Sequence, residues 1–147
     1  SLRSTQGASR WPQPRPGLRH ACPVCRAPTL RQRGAYEVCQ VCWWEDDGVV
    51  DEGWPSGCNG RTLLEARRHF ADGLMSCASS EEHYAQFGGG NAELETLKRQ
   101  VLTYAAGLRL LDDGPDFAAC RQRLDGLLAE LETATAAWLR RDEQVGR

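Results

Sequence analysis

Apolar residues in the last third of the chain recur at steps of three and four, the spacing of one face of an α-helix. The first apolar face follows the helix-capping residue Asn91 and consists of Leu94, Leu97, Val101, Tyr104, Leu108 and Leu111. The second face consists of Phe117, Cys120, Leu124, Leu127, Leu131, Ala134 and Trp138. A short turn at residues 112–115 separates the two runs, so residues 91–147 predict an antiparallel helical hairpin. Such a hairpin has too little core to be stable alone, so it must pack on the rest of the chain, on a second copy or on another protein.

Residues 61–90 predict a helical connector. Thr62 and Glu65 form a capping box at the start of an apolar helical face, and the helix is expected to stop at Gly73. That face consists of Leu63, Ala66 and Phe70. A shorter helix is predicted over residues 79–87, again with a capping box at its start. The three glycines that follow lack the lysine of a phosphate-binding loop, so they are interpreted as a hinge.

Two Cys-x-x-Cys pairs precede the helices: Cys22 with Cys25, and Cys39 with Cys42. Thirteen residues separate the pairs, enough for a two-stranded hairpin. Each pair can fold as a turn whose thiolates converge, and two such turns give the closed tetrahedron that a structural Zn²⁺ prefers. The sequence therefore predicts a zinc ribbon that holds one structural Zn²⁺ per chain.

The predicted hairpin lies between the two cysteine pairs. One strand is expected over residues 29–33, a turn at Gly34-Ala35, and a second strand over residues 36–38 that leads into Cys39. Trp43 and Trp44, directly after the second pair, are expected to cover the thiolates, because a buried metal centre needs low-dielectric surroundings.

Disulfide bonds are the alternative use of these thiols. The chain has seven cysteines, and an oxidised framework would leave one of them unpaired. No secretion signal and no apolar run of membrane-spanning length is recognisable, so a reducing cytoplasm is expected, where paired thiols bind metal more often than they form disulfides. Cys58, Cys77 and Cys120 are interpreted as small packing residues, and His20 as a neighbour of an already complete site.

Charge is distributed unevenly along a chain whose net charge is only −2. Residues 1–36 contain seven arginines and no acid, and residues 1–20 are interpreted as a flexible basic tail with Trp11 in it. Residues 37–60 contain six acids and no base. We expect an acidic partner-binding loop that consists of Glu45, Asp46, Asp47, Asp51, Glu52 and Trp54. A basic protein would be attracted to such a surface.

The order of these motifs resembles the bacterial cysteine-rich CPCC family over residues ~21–75. The resemblance rests on Cys-Pro-x-Cys, Gly-x-Tyr-Glu-x-Cys-x-x-Cys, a Trp-Glu-Asp-Asp-Gly run, and Asn59-Gly60 ahead of the first connector helix. The family has cysteine where this chain has Val24, and glycine where it has Arg26; neither departure removes one of the four paired cysteines. The resemblance implies a small zinc-binding fold, and it suggests a link to bacterial toxin–immunity loci.

Together these patterns predict an α+β protein: a small rubredoxin-like or zinc-ribbon-like hairpin module, then helices, with a C-terminal helical hairpin. The expected divisions are a tail (1–20), a zinc ribbon with the acidic loop (21–60), a connector (61–90) and the hairpin (91–147).

An enzyme is the least supported class, because no nucleophile–base pair and no open metal site is recognisable. We expect a protein-interaction module, in particular an immunity protein that neutralises a co-encoded toxin. A nucleic-acid-binding regulator is the alternative, and a homodimer through the helical hairpin stays open.

Overall fold

The computed structural model of the protein describes residues 13–145. Its elements are β1 (His20–Ala21), β2 (Pro28–Leu30), α1 (Leu63–Gly73), α2 (Glu82–Gln86), α3 (Ala92–Arg109) and α4 (Pro115–Val145). The predicted α+β class, with a small antiparallel hairpin beside the cysteines and two packed C-terminal helices, is confirmed. Trp11 and the first twelve residues of the predicted tail lie outside the described residues.

The two strands flank the first cysteine pair instead of joining the two pairs. β1 runs antiparallel to β2, with His20 opposite Leu30 and Ala21 opposite Pro28. The predicted second strand over residues 36–38 is wrong, because Tyr36 has a left-handed backbone (φ 62°) that breaks an extended chain. Val38 forms an isolated antiparallel bridge to Glu45 that flanks the second cysteine pair, and the Tyr36 N–H donates to the Asp46 carbonyl at 2.9 Å.

The capping box of α1 is confirmed. Thr62 Oγ1 accepts the backbone N–H of Glu65 at 3.1 Å, and the Glu65 carboxylate accepts the N–H of Thr62 at 3.0 Å. The predicted capping box of the next helix, Ser79 with Glu82, is wrong. α2 begins three residues later than predicted, because the Glu81 carboxylate is used by the Ala78 N–H and by a distant arginine.

The helical hairpin follows its predicted apolar faces closely. The Asn91 side chain accepts the N–H of Leu94 at 3.0 Å, so the cap of α3 is confirmed. The buried leucines and valine that the two helices contribute to the core are Leu94, Val101, Leu108, Leu124, Leu127, Leu128 and Leu131. Tyr104 is more exposed than predicted, and Ala105 takes its place in the buried face. Lys98 is also buried there, and the apolar pattern gave no sign of it.

One continuous core joins the cysteine segment to the helical hairpin, and it contains residues from Cys22 to Leu131. Residues 13–20, the described end of the predicted tail, lie against the hairpin. The Arg15 guanidinium lies 3.8 Å from the centre of the Phe117 ring and donates to the Leu108 carbonyl at 2.9 Å and to Asp113 at 2.6 Å. Within residues 13–145, none of the helices has the length and apolar character needed to cross a membrane.

Candidate metal centre

Four cysteine side chains converge at one point in the core. The sulfur atoms of Cys22, Cys25, Cys39 and Cys42 all lie within 4.8 Å of one another, and all four residues are buried. Cys22 Sγ lies 3.6 Å from Cys42 Sγ, and Cys25 Sγ lies 3.6 Å from Cys39 Sγ. A tetrahedral zinc with bonds of about 2.3 Å to sulfur requires sulfur–sulfur distances of about 3.8 Å. The cluster therefore matches the dimensions of a four-coordinate metal site.

Both cysteine pairs use the same backbone turn. In the first, the N–H of Arg26 donates to the carbonyl of Cys22 at 2.8 Å, and the N–H of Cys22 donates to the carbonyl of Ala27 at 2.9 Å. In the second, Trp43 donates to Cys39 at 2.9 Å, and Cys39 donates to Trp44 at 2.9 Å. This repeated turn directs both thiols of each pair toward the same point, as a metal site requires.

The residue after each pair adopts a left-handed backbone, with φ 67° at Arg26 and 65° at Trp43. This conformation favours glycine, which is the residue that the resembled family has where this chain has Arg26. Both side chains extend away from a crowded turn: Arg26 is exposed, and Trp43 stacks on Phe87 with ring centres 4.4 Å apart. The departure from glycine therefore carries backbone strain without removing the turn.

Hydrogen-bond donors reach the sulfur atoms from the backbone and from one side chain. The Val24 N–H points at Cys22 Sγ at 3.4 Å, and the Thr29 hydroxyl lies 3.0 Å from Cys39 Sγ. Such donors stabilise thiolates and orient them toward a metal. The sequence did not single out Thr29, although its position in a strand beside the first cysteine pair was the available signal.

The four thiols cannot all ionise without a cation. Burial raises the pKa of Cys25 and of Cys42 well above the ordinary value, and the neighbouring thiol of Cys22 raises both further. Burial acts in the same direction at Cys39, but hydrogen bonds from Cys22 and the other cysteines and from Thr29 outweigh it and lower its pKa well below the ordinary value. A bound metal ion would compensate the negative charge of the four thiolates.

No histidine or carboxylate joins this group in the described residues, and the other cysteines lie elsewhere. His20 lies in β1, Cys58 is exposed beside Asn59, and Cys77 is buried near α2. Cys120 is half-buried in α4 and approaches the Tyr104 carbonyl at 3.7 Å. A set of four buried thiols leaves no position open for water or substrate, which is the arrangement of structural metal sites.

The six residues predicted to bind a partner lie in different environments. Asp46 is buried: it forms an ion pair with Arg33 at 2.8 Å and accepts the N–H groups of Gly34 at 2.9 Å and Gly48 at 3.2 Å. Asp47 accepts the Ser56 hydroxyl at 2.7 Å and is half-buried. These two carboxylates close the turns that follow the second cysteine pair.

The remaining members differ in exposure. Glu45 is half-buried, and its backbone N–H and carbonyl are both held by the Asn59 side chain. Asp51 and Glu52 are exposed, although Glu52 forms an ion pair with Arg67 at 2.6 Å. Trp54 is 64% exposed. The exposed members of the predicted partner surface are therefore Asp51, Glu52 and Trp54, which lie in segment 50–54.

Sequence reasoning missed a two-point ion pair between Arg61 and Glu81, which is partly exposed to solvent. Arg61 donates to both carboxylate oxygens of Glu81, at 2.5 and 2.6 Å, and also approaches the Ser76 carbonyl at 3.4 Å. The Arg61 hydrogen bonds lower the pKa of Glu81 to about 2, against the opposing effect of burial. This pair joins the loop after the second cysteine pair to the start of α2, and no local pattern connects residues so far apart.

Two cysteine turns converge on a four-sulfur cluster that could hold a structural metal ion. Residues 20–87 match the model of the family described as Cysteine-rich CPCC, and we call this segment the CPCC domain. The predicted resemblance is confirmed, and the match reaches from β1 through α2. The helical hairpin lies beyond it. No curated protein and no solved structure matches the chain.

Proposed function

We propose that the chain is a non-enzymatic protein-interaction module whose CPCC domain is held together by one structural Zn²⁺. The observation that carries this proposal is the closed set of buried cysteines, Cys22, Cys25, Cys39 and Cys42. Zinc is the metal most often held by four thiolates in a tetrahedron, and a catalytic zinc would need an open position. The metal here would supply folding free energy and fix both cysteine turns. The thiols require a reducing compartment, for which the cytoplasm is our proposal.

The proposed partner is a protein with a basic surface. The exposed segment that follows the metal centre combines Asp51 and Glu52 with two exposed apolar side chains, Val50 and Trp54. Acidic side chains accelerate association with a basic partner, while a tryptophan that becomes buried slows dissociation. Neutralisation of a co-encoded bacterial toxin is the form of this function that we propose to test first.

Nucleic-acid binding is less well supported by the same residues. Arg33, one of the arginines expected to reach phosphates, is paired with the buried Asp46 carboxylate. Arg31 is exposed, but Glu37 lies directly beside it and accepts its backbone N–H. A phosphate backbone would therefore meet an acid on this side of the domain.

The test is an association experiment with a partner protein captured from the source cell. Asp51→Arg is expected to slow association at low ionic strength, and Trp54→Ala to speed dissociation several-fold. Glu130→Arg reverses an exposed acid on α4 and is the matched control, with no expected effect. Equal rates for the wild type, Asp51→Arg and Trp54→Ala would remove segment 50–54 from the binding site. Tight binding to duplex DNA with a steep salt dependence would favour the nucleic-acid alternative.

A further inference from the structure

The one lysine of this chain, Lys98, is buried in α3. Lys98 is 1% exposed, although the other charged residues of α3 are exposed or half-buried. Its ammonium donates to the sulfur of Met75 at 3.1 Å, which is a weak and uncharged acceptor. Within the described residues it forms no salt bridge with a carboxylate. A buried ammonium is costly unless an opposite charge lies near it, so a counter-charge is required.

The residues around Met75 connect Lys98 to the metal centre. Met75 is fully buried, and the backbone N–H of the next residue, Ser76, donates to the carbonyl of Cys42 at 2.7 Å. The ammonium thus contacts a segment that is hydrogen-bonded to the second of the two cysteine turns. Burial lowers the pKa of Lys98, whereas the thiolate forms of the cysteines, foremost Cys42 and then Cys39, and the Glu95 carboxylate oppose that effect.

We propose that Lys98 is the buried counter-charge of the four-cysteine metal centre, supplied by a helix that lies outside the CPCC domain. This rests on the metal site of the proposed function. When four thiols release their protons and bind one divalent cation, the centre gains two negative charges, because four thiolates outweigh the metal. A fixed positive charge in the same core favours that bound form. The helical hairpin therefore contributes to metal affinity as well as to packing.

The test measures Zn²⁺ affinity by competition with a chromophoric chelator at constant pH. Lys98→Met keeps an apolar side chain of similar length and removes the charge, and it is expected to weaken Zn²⁺ binding by roughly ten- to hundred-fold, as substitutions around metal ligands do. Lys98→Arg keeps the charge and is expected to retain most of the affinity. Arg99→Met removes the same charge from the exposed neighbouring position and is expected to change nothing.

Two further measurements keep the proposal falsifiable if Lys98→Met does not fold. Lys98→Gln also removes the charge and should rank below Lys98→Arg in Zn²⁺ affinity. In the wild-type protein, Lys98 is the one side chain with an amine that can be acetylated. Acetylation of its Nζ should be slow in the zinc-loaded form. The proposal is overturned if Lys98→Met or Lys98→Gln binds Zn²⁺ as tightly as the wild type, or if Nζ is acetylated as fast as a free amine. A wild-type protein that binds no Zn²⁺ would instead overturn the proposed metal site itself.

Discussion

At the scale of single residues, the charge pattern predicted that the carboxylates after the second cysteine pair form a surface. In the structure, some of them accept hydrogen bonds that stabilise turns instead. Asp46 is the clearest case, because its two oxygens accept the Arg33 guanidinium and the backbone N–H groups of Gly34 and Gly48 inside the domain. A run of acids in sequence does not reveal which of them turns inward. That distinction depends on the distant residues that fold over the run.

We predict that Asp46→Ala lowers the free energy of unfolding of the zinc-loaded protein by about 3–5 kcal/mol, because it leaves the Arg33 charge buried without its carboxylate. Asp51→Ala is the control: Asp51 is exposed, and within the described residues its carboxylate accepts only the N–H of Gly53, so its effect should stay within about 1 kcal/mol. Urea unfolding measures both. Similar small effects for the two variants would contradict the buried role of Asp46.

The Arg61–Glu81 pair should make stability depend on pH. The folded pKa of Glu81, about 2, is below its ordinary value of 4.5, so the pair stabilises the protein above that ordinary value and loses its effect as the pH falls toward 2. Glu81→Gln is expected to cost about 1–2 kcal/mol at pH 7, a figure reduced for partial exposure of the pair. The difference between wild type and Glu81→Gln, measured by urea unfolding at each pH, should shrink in acid. A difference that is constant with pH would contradict this assignment.

At the scale of elements, the helices were predictable, whereas of the two strands only β2 was anticipated, by the strand predicted over residues 29–33. Apolar periodicity and caps located α1, α3 and α4, because each is long enough for its buried face to recur several times. β1 and β2 have two and three residues, too few for any alternation to be read, and their pairing is set by the cysteine turn that they flank. The predicted start of α2 was wrong because the Glu81 carboxylate binds Arg61, which lies twenty positions away in the sequence.

Substitutions of two glycines test the surroundings of a helix interior and of a joint between helices. Gly126 lies in α4 with open space around the position of a Cβ atom, so Gly126→Ala should raise the free energy of unfolding by up to about 1 kcal/mol. Gly88, between α2 and α3, has φ 89°, and a Cβ there would lie 2.4 Å from Leu94 Cδ1. Gly88→Ala should therefore cost about 1–3 kcal/mol.

Thermal unfolding of both variants checks these signs. A Gly88→Ala variant as stable as the wild type would show that the joint between α2 and α3 can relax, and it would favour the hinge interpretation of this glycine segment. A destabilising effect of Gly126→Ala would contradict the open surroundings of that position.

At the scale of the whole molecule, the CPCC domain and the helical hairpin share one core. The cluster of four cysteines was predictable from two Cys-x-x-Cys pairs, since the spacing alone places the thiols on two turns. Packing of the hairpin on the rest of the chain was one of the three predicted arrangements, but the individual contacts that achieve it were not predictable. The buried Lys98 and the contact between Arg15 and Phe117 join residues that are far apart in sequence, and both carry charged side chains into positions where an apolar pattern expects none.

The most direct test of the closed metal centre is X-ray absorption at the zinc edge, combined with elemental analysis of the purified protein. We predict one zinc per chain with four sulfur neighbours at about 2.3 Å and no nitrogen or oxygen ligand. Cys39→Ser should lose the metal, and the CPCC domain should unfold with it, because metal binding and folding are coupled. Folded protein with well under one metal per chain and a Cys22–Cys25 disulfide, or a zinc with an oxygen ligand, would contradict the account.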